Sequence, residues 1–215
     1  MLKIISLKEA VNLISQGKLI IFPTETFFGL GCKIFNNDDT IQQIFIAKQR
    51  AINIPLPIII GNWEQLTMAA DVPNVIYPLL QHFWPGALSI ILNAKQNISP
   101  YITASTQKVA VRLSSHPIAK GIAELVGEPI IATSANINKK PPITNITKLD
   151  TRLYPYIEGV IDIPPIPTGG LPSTLIELHP NNTITILREG IINSNKVKEK
   201  AAELCGIYHV TLTIN

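Results

Sequence analysis

The chain has 215 residues, of which 46% are hydrophobic and 15% charged, a composition that supplies a buried core and excludes an intrinsically disordered chain. Its formal net charge of +3 and pI near 8.8 suit anionic ligands but fall short of the dense Lys/Arg patches of dedicated nucleic-acid binders. With two cysteines, it can build neither a disulfide framework nor a four-thiolate zinc site.

We expect one domain spanning residues 1–215, located in the cytoplasm. The length fits one α/β domain, and the small number of cysteines suits a reducing compartment. The N-terminal segment carries Glu9, Asn12 and Gln16, which indicate an amphipathic helix rather than a signal peptide. No apolar run is long enough to span a membrane, so we expect a soluble protein.

The first elements predicted are a helix, a strand and a polar loop. Ser6 and Glu9 form a capping box, which predicts a helix that ends at Gly17. The apolar residues 18–22 predict a buried strand. The strand runs into the loop PTETFFGLG, and polar loops at strand ends often carry ligands.

Strands and helices then alternate, which predicts an α/β sheet covered by helices. In the helix HPIAKGIAELVG, we expect Ile118, Ile122 and Leu125 to pack against the sheet. Further strands are predicted at 32–35, 56–60, 87–92, 108–113 and 129–132, and further helices over NNDDTIQQIFIAK and around 62–70 and 73–83.

The last third of the chain begins with a Pro-rich stretch, 141–172, which predicts loop wrapped on the domain with one short helix and the strand GVIDI. The segments STLIEL and TITILR alternate like strands. If they pair as a hairpin, Ser173 and Arg188 face one pocket. A closing helix, NSNKVKEKAAELCG, and an edge strand in YHVTLTI follow.

Signatures of the common nucleotide-binding and hydrolytic enzymes are absent: there is no GxxxxGK[ST], GxGxxG, HExxH or GxSxG. The four histidines are scattered without metal-ligand spacing. Three polar clusters stand out instead: PTET at 23–26, the cations Lys48 and Arg50, and ATSAN at 132–136. Each also has a structural interpretation, as a turn, as cations at a helix end or as a capped turn.

Taken in order, PTETFFGLG, KQR, WPGALSIIL, VAVRL, ATSANI, GLPSTLIEL and ILREG resemble the YrdC family of threonylcarbamoyl-AMP synthases. The resemblance covers about residues 6–192 and leaves the C-terminal helix and tail, 193–215, outside it. It implies an open twisted mixed sheet flanked by helices around a concave, positively charged cavity. The chain departs from the family pattern at Phe28, Ile54 and 138–142. Since Ile54 lacks the polar group that the family has at this position, one hydrogen bond to ATP is lost.

The resemblance also implies residue roles. Lys48, Arg50, Ser134 and Asn136 would be catalytic. The same four residues would bind ATP, and Lys108 and Arg188 would also bind it. L-threonine would contact Thr26, Arg112, Ala132 and Ser173.

The implied reaction joins L-threonine, bicarbonate and ATP, with Mg2+, into threonylcarbamoyl-AMP and pyrophosphate for a tRNA modification. No tightly bound organic cofactor, metal ligand set or membrane partner is expected. The product would pass to downstream threonylcarbamoyl-transferase proteins, and weak binding of tRNA or other RNA is left open. A non-catalytic double-stranded RNA-binding protein is the main alternative. The carbamoyl-transfer domain of hydrogenase maturation proteins is disfavoured, because those chains carry additional segments.

Overall fold

Seven α-helices and twelve β-strands occur along residues 2–213, the part of the chain that this computed structural model describes. The helices are α1 (Leu7–Ser15), α2 (Asp38–Lys48), α3 (Trp63–Ala69), α4 (Tyr77–Phe83), α5 (Pro100–Thr103), α6 (Pro117–Val126) and α7 (Ser194–Cys205). The strands are β1 (Ile20–Pro23), β2 (Phe28–Gly31), β3 (Ile58–Ile60), β4 (Ala70–Asp71), β5 (Leu88–Ala94), β6 (Lys108–Leu113), β7 (Ile130–Ile131), β8 (Thr133–Ser134), β9 (Gly159–Val160), β10 (Thr174–Leu178), β11 (Ile184–Arg188) and β12 (Val210–Leu212). The predicted mixed α/β class is confirmed.

Local sequence sets the ends of the helices. The Ser6 hydroxyl accepts from the backbone N–H of Glu9, whose carboxylate accepts from the backbone N–H of Ser6, so the predicted capping box is confirmed. The Asn37 side chain caps α2. At the other end of α2, Gln49 takes a left-handed conformation with φ of 52°, which ends the helix just before Arg50.

The strands divide into two mixed sheets rather than the single sheet expected. The smaller sheet has the order β8-β2-β1-β9, in which β2 is antiparallel to both neighbours and β1 is parallel to β9. The larger sheet has the order β12-β11-β10-β5-β6-β3-β7, with β4 beside β5. The predicted hairpin of β10 and β11 and the predicted edge strand β12 are both confirmed.

Apolar side chains fill two cores on opposite faces of β1 and β3. Ile20 and Phe22 face the core beneath α1 and α6, whereas Ile21 between them faces the larger core. Ile59 likewise points to the first core and its neighbours to the second. Since alternate residues of a strand point to opposite faces, strands buried on both faces need continuous apolar runs.

The second predicted strand lies earlier than expected. Residues 32–35 contain only an isolated bridge between Lys33 and Ile130, whereas β2 begins at Phe28. The cause is a tight turn at Thr24, whose hydroxyl donates to the carbonyl of Phe27 at 2.7 Å. This turn returns the chain immediately, so FFGLG pairs with β1 instead of continuing as loop.

Helix α6 packs differently from the prediction at one position, since Leu125 is 63% exposed. The buried residues of α6 are Ile118, Ala119, Ile122 and Ala123. Leu125 therefore lies outside the buried face of α6, which includes the two small residues Ala119 and Ala123. The predicted strand GVIDI is also shorter than expected, since β9 contains only Gly159 and Val160.

Candidate active site

A cavity of about 840 Å3 lies between the two sheets. Alternate residues of the larger sheet line it, because positions i and i+2 of a strand point to the same face. The contributions of that sheet include Ser89 and Ile91 from β5, Ala110 and Arg112 from β6, and Leu175 from β10. The opposite wall comes from the loop after β1, the segment after α2 and the segment around β8.

The loop between β1 and β2 presents Thr26 to the cavity. Thr24 makes the turn, because its hydroxyl accepts from the backbone N–H groups of Thr26 and Phe27 at 3.3 Å. The hydroxyls of Thr24 and Thr26 lie 3.2 Å apart. Of the two threonines, Thr24 therefore fits the structural interpretation of PTET, and its contacts hold Thr26 in place.

Lys48 lies behind the cavity, against the residues that follow β7. Its ammonium donates to the carbonyl of Ser134, to the carbonyl of Asn136 at 2.7 Å and to the Asn136 side-chain oxygen at 3.3 Å. Burial, and secondarily the nearby charge of Arg50, lower the pKa of Lys48 to about 7. In this conformation Lys48 positions the Ser134–Asn136 segment.

Ser134 lines the cavity, and its hydroxyl donates to the side-chain oxygen of Asn136. The Asn136 amide in turn donates to the carbonyls of Ile137 and Lys140. Asn136 therefore supports the wall without lining it, while β8 attaches Ser134 to the smaller sheet.

Arg50 enters the cavity directly after α2. One terminal nitrogen donates to the carbonyl of Pro55 at 2.8 Å, and burial lowers the pKa of the guanidinium. Its Nε is buried without a hydrogen-bond partner among residues 2–213. Ile54, at the position where the family pattern has a polar residue, lies beside Arg50 in the cavity wall.

Arg112 projects from β6 and forms an ion pair with Glu25. The other oxygen of the Glu25 carboxylate accepts from the Ser114 hydroxyl at 2.5 Å. Burial lowers the pKa of Arg112, and the carboxylate of Glu25 opposes that shift. The guanidinium therefore reaches the cavity already paired on one side.

Ser173 and Arg188 lie together in the same cavity, as the hairpin of β10 and β11 predicts. The Arg188 guanidinium donates to the Ser173 carbonyl at 2.9 and 3.1 Å. The Ser173 hydroxyl lies 2.9 Å from that of Ser89. Burial, and then the charge of Arg112, lower the pKa of Arg188, and both arginines line the cavity.

Seven of the ten residues implied by the resemblance line the cavity, and three do not. Lys48 and Asn136 lie behind the wall, and Lys108 forms an ion pair with Glu177. The seven that line it are Thr26, Arg50, Arg112, Ala132, Ser134, Ser173 and Arg188.

Sequence reasoning gave no role to three residues at this site, Ser89, Ser114 and Glu25. A usable signal existed for Ser114, because it directly follows the predicted strand 108–113 and, two residues after Arg112, shares its face if the strand conformation continues. Ser89 could not be found in this way, since its contact with Ser173 depends on the register of β5 against β10.

Within residues 2–213, no group of three or more His, Cys, Asp or Glu side chains is arranged to hold a metal ion. The side chains that line the cavity include no carboxylate. No helix of the same residues is both long and apolar enough to cross a membrane.

Comparison with known proteins places this geometry in a family. The family model Sua5/YciO/YrdC, described as telomere recombination, matches residues 12–190, which is most of the chain. The chain belongs to the Sua5/YciO/YrdC family. The predicted resemblance to YrdC proteins is thereby confirmed.

Members of the Sua5/YciO/YrdC family with assigned names resemble the chain over most of its length. It is 35% identical over 205 residues to the threonylcarbamoyl-AMP synthase of Bacillus subtilis, and 29% identical over 188 residues to that of Photobacterium profundum. These alignments cover 94% and 86% of this chain.

A solved structure of the family also matches. The crystal structure of Pyrococcus abyssi Sua5 complexed with L-threonine superimposes with a TM-score of 0.84 at 34% identity, over 95% of this chain. The chain spans 58% of that protein and 57% of the Bacillus protein, but 99% of the Photobacterium protein.

Proposed function

We propose that the chain is a threonylcarbamoyl-AMP synthase, which makes threonylcarbamoyl-AMP and pyrophosphate from L-threonine, bicarbonate and ATP. One observation carries the proposal: three guanidinium groups, from Arg50, Arg112 and Arg188, line a single cavity together with hydroxyls from both of its walls. Guanidinium groups bind carboxylates and phosphates through parallel hydrogen bonds. The substrates bring a carboxylate and a triphosphate.

The amino acid binds at the end of the cavity formed by β6 and β10. Arg112 takes the carboxylate of L-threonine, and Thr26 and Ser173 bind its polar groups. Ala132 lines the same pocket. A side chain this small leaves room for the methyl group of threonine.

ATP binds next to the amino acid, with its phosphates against Arg50, Arg188 and Ser134. Asn136 and Lys48 act from behind the wall by holding Ser134. Lys108 would reach ATP only by leaving Glu177. Since the cavity wall offers no carboxylate ligand, Mg2+ arrives bound to the ATP phosphates and water, as is common for this ion.

In the reaction, the amine of L-threonine and bicarbonate form a carbamate with loss of water. A carbamate oxygen attacks the α-phosphorus of ATP, and the bond to the β-phosphate oxygen breaks, so pyrophosphate leaves. The chain supplies no nucleophile. Its arginines align the reactants and neutralise the negative charge that develops, which is how such transfers are catalysed. A threonylcarbamoyl-transferase then consumes the product in tRNA modification.

The test measures pyrophosphate release with ATP, Mg2+, bicarbonate and each amino acid in turn. We expect release with L-threonine only, and a loss of about 100-fold in Arg50→Ala, because that variant lacks a charge that stabilises the transition state. Lys95→Ala is the matched control, since Lys95 pairs with Asp71 on the surface and does not line the cavity. Near-normal turnover in Arg50→Ala would refute the assignment.

If the chain instead binds double-stranded RNA without catalysis, the same preparation shows no threonine-dependent turnover. It then binds RNA duplexes with an affinity that falls steeply with salt, because counterion release drives such binding.

A further inference from the structure

Glu25 occupies a position that the substrate roles leave unexplained. It belongs to the loop between β1 and β2, yet its carboxylate is bound by Arg112 of β6 and by Ser114 directly after β6. One oxygen accepts from Arg112, and the other accepts from Ser114 at 2.5 Å. The side chains of Glu25 and Arg112 are only 15% and 10% exposed. The pair is therefore largely shielded from water.

The backbone on either side of Glu25 is fixed as well. The Thr168 hydroxyl donates to the carbonyl of Glu25 at 2.8 Å, and the backbone N–H of Gly169 donates to that of Thr26 at 2.8 Å. On the other side, the hydroxyl of Thr24 holds the turn. The carboxylate is consequently presented to Arg112 from a rigid loop, and rigid support of this kind preorganises a binding group.

Arg112 shares the cavity with two other cationic side chains, those of Arg50 and Arg188. Burial, and then the positive charge of Arg112, lower the pKa of Arg188. Within residues 2–213, neither Arg50 nor Arg188 has an acidic side chain within ion-pair distance, whereas Arg112 has Glu25. Glu25 thus offsets one of three cations that share the cavity.

The hydrogen bonds of Arg112 show whether Glu25 leaves the guanidinium free to bind a substrate carboxylate. A guanidinium has five N–H donors, and Glu25 accepts from only one terminal nitrogen of Arg112. No other nitrogen of Arg112 has an acceptor within residues 2–213, and Arg112 forms part of the cavity wall. A substrate carboxylate can therefore bind Arg112 while Glu25 remains in place.

We propose that Glu25 is a positioning residue for the amino-acid substrate: it fixes the orientation of Arg112 so that the free side of the guanidinium receives the substrate carboxylate. This inference rests on the proposed function, in which Arg112 binds that carboxylate. If Glu25 instead competed with the substrate for Arg112, its removal would tighten substrate binding. The two roles therefore predict changes of opposite sign.

The test uses Glu25→Gln in the full chain, because the amide keeps an acceptor for Arg112 and loses only the charge. We expect the dissociation constant of L-threonine, measured by calorimetry without ATP, to rise about tenfold, in line with the loss of one charge-assisted contact. The KM for L-threonine should rise by the same factor while kcat and the KM for ATP change less than about twofold. Glu203→Gln, which removes a surface ion pair with Lys200, should change none of these constants.

An unchanged or lower dissociation constant in Glu25→Gln would overturn the proposal. Ser114→Ala provides a second test if Glu25→Gln does not fold, because it frees one carboxylate oxygen but leaves the ion pair. It should weaken L-threonine binding about threefold, as expected for one hydrogen bond, and unchanged binding would again count against the proposal. A wild-type chain that neither binds L-threonine nor releases pyrophosphate would refute the proposed function itself, together with this role.

Discussion

Lys48 shows how a buried cation can serve a ligand site that it does not line. Its ammonium has three N–H donors, and all three acceptors near it belong to Ser134 and Asn136. The carbonyl of Lys48 also accepts from the backbone N–H of Asn138 at 2.7 Å. These hydrogen bonds join the end of α2 to the segment after β7. The position of Ser134 therefore depends on Lys48.

We expect the contribution of Lys48 to stability to depend on pH. Its pKa in the folded chain is lowered to about 7 by burial and by Arg50, whereas in the unfolded chain it lies near the ordinary value of about 10.4. Above about pH 7, the unfolded lysine therefore holds a proton that the folded one has lost. Stability then rises with pH, by up to about 1.4 kcal/mol per pH unit for this group.

Lys48→Met lacks this titration. The free energy of unfolding of the wild type minus that of the variant should therefore increase from about pH 7 to about pH 9. Urea unfolding at a series of pH values measures this difference, in which all other titrating groups cancel. A difference that stays constant would mean that Lys48 remains charged in the folded chain over this range.

At the residue scale, motifs alone were enough to select several residues that line the cavity. Thr26, Ser134 and Ser173 all line the cavity. It could not separate Lys48 from Arg50, because two cations in one motif look equivalent until the left-handed Gln49 turns the chain between them. It also gave Glu25 no role, since the ion pair with Arg112 joins residues that only the packing of two sheets brings together.

At the scale of elements, the crossing of β2 and β7 attaches the smaller sheet to the larger one. The backbone N–H of Ile131 donates to the carbonyl of Cys32 at 2.8 Å. A Cβ atom at Gly31 would overlap the carbonyl oxygen of Ile131. Only glycine permits two backbones to approach this closely, and the residues that follow β7, including Ser134, depend on this approach for their position.

Gly31→Ala should therefore destabilise the chain by at least about 3 kcal/mol, because the methyl group meets backbone that cannot move without separating the sheets. Gly121→Ala is the matched control. Gly121 lies within α6, and a Cβ there would have no neighbour within 4 Å, so alanine should stabilise the helix by about 0.5–1 kcal/mol. Urea unfolding measures both. Equal effects of the two substitutions would contradict this account of the crossing.

Most elements were predictable from the sequence because their signals are local. The capping box at Ser6, the alternation in KVAVRL and the Gly-terminated helix α6 each fix an element within a few residues. The division into two sheets was not predictable, since short apolar runs such as β1 and β3 carry no record of their neighbours. The early start of β2 depended on the side chain of one threonine, Thr24, closing a turn.

At the scale of the whole molecule, the two sheets form opposite walls of one cavity, so a ligand bound there would contact both sheets. Thr26 and Ser134 belong to the wall on the side of the smaller sheet, whereas Arg112, Ser173 and Arg188 belong to the larger sheet. A ligand that contacts both walls stabilises the folded chain over the unfolded chain and links the sheets. Ligand binding should therefore be visible as thermal stability even without turnover.

We expect ATP with Mg2+ and L-threonine, each at about 100 times its dissociation constant, to stabilise the fold by about 2.7 kcal/mol per ligand. For a chain of this size each ligand then raises Tm by about 5–10 °C, measured by calorimetry. Arg50→Ala should lose most of the ATP increment and keep the Tm of the free chain, because the hydrogen bonds of Arg50 within residues 2–213 go only to the nearby carbonyls of Ile54 and Pro55. At the same concentration as L-threonine, L-serine should give a smaller increment in Tm, since it lacks the methyl group that the pocket at Ala132 accommodates. An ATP increment of full size in Arg50→Ala would place the nucleotide elsewhere, and two separate thermal transitions would show that the sheets unfold independently.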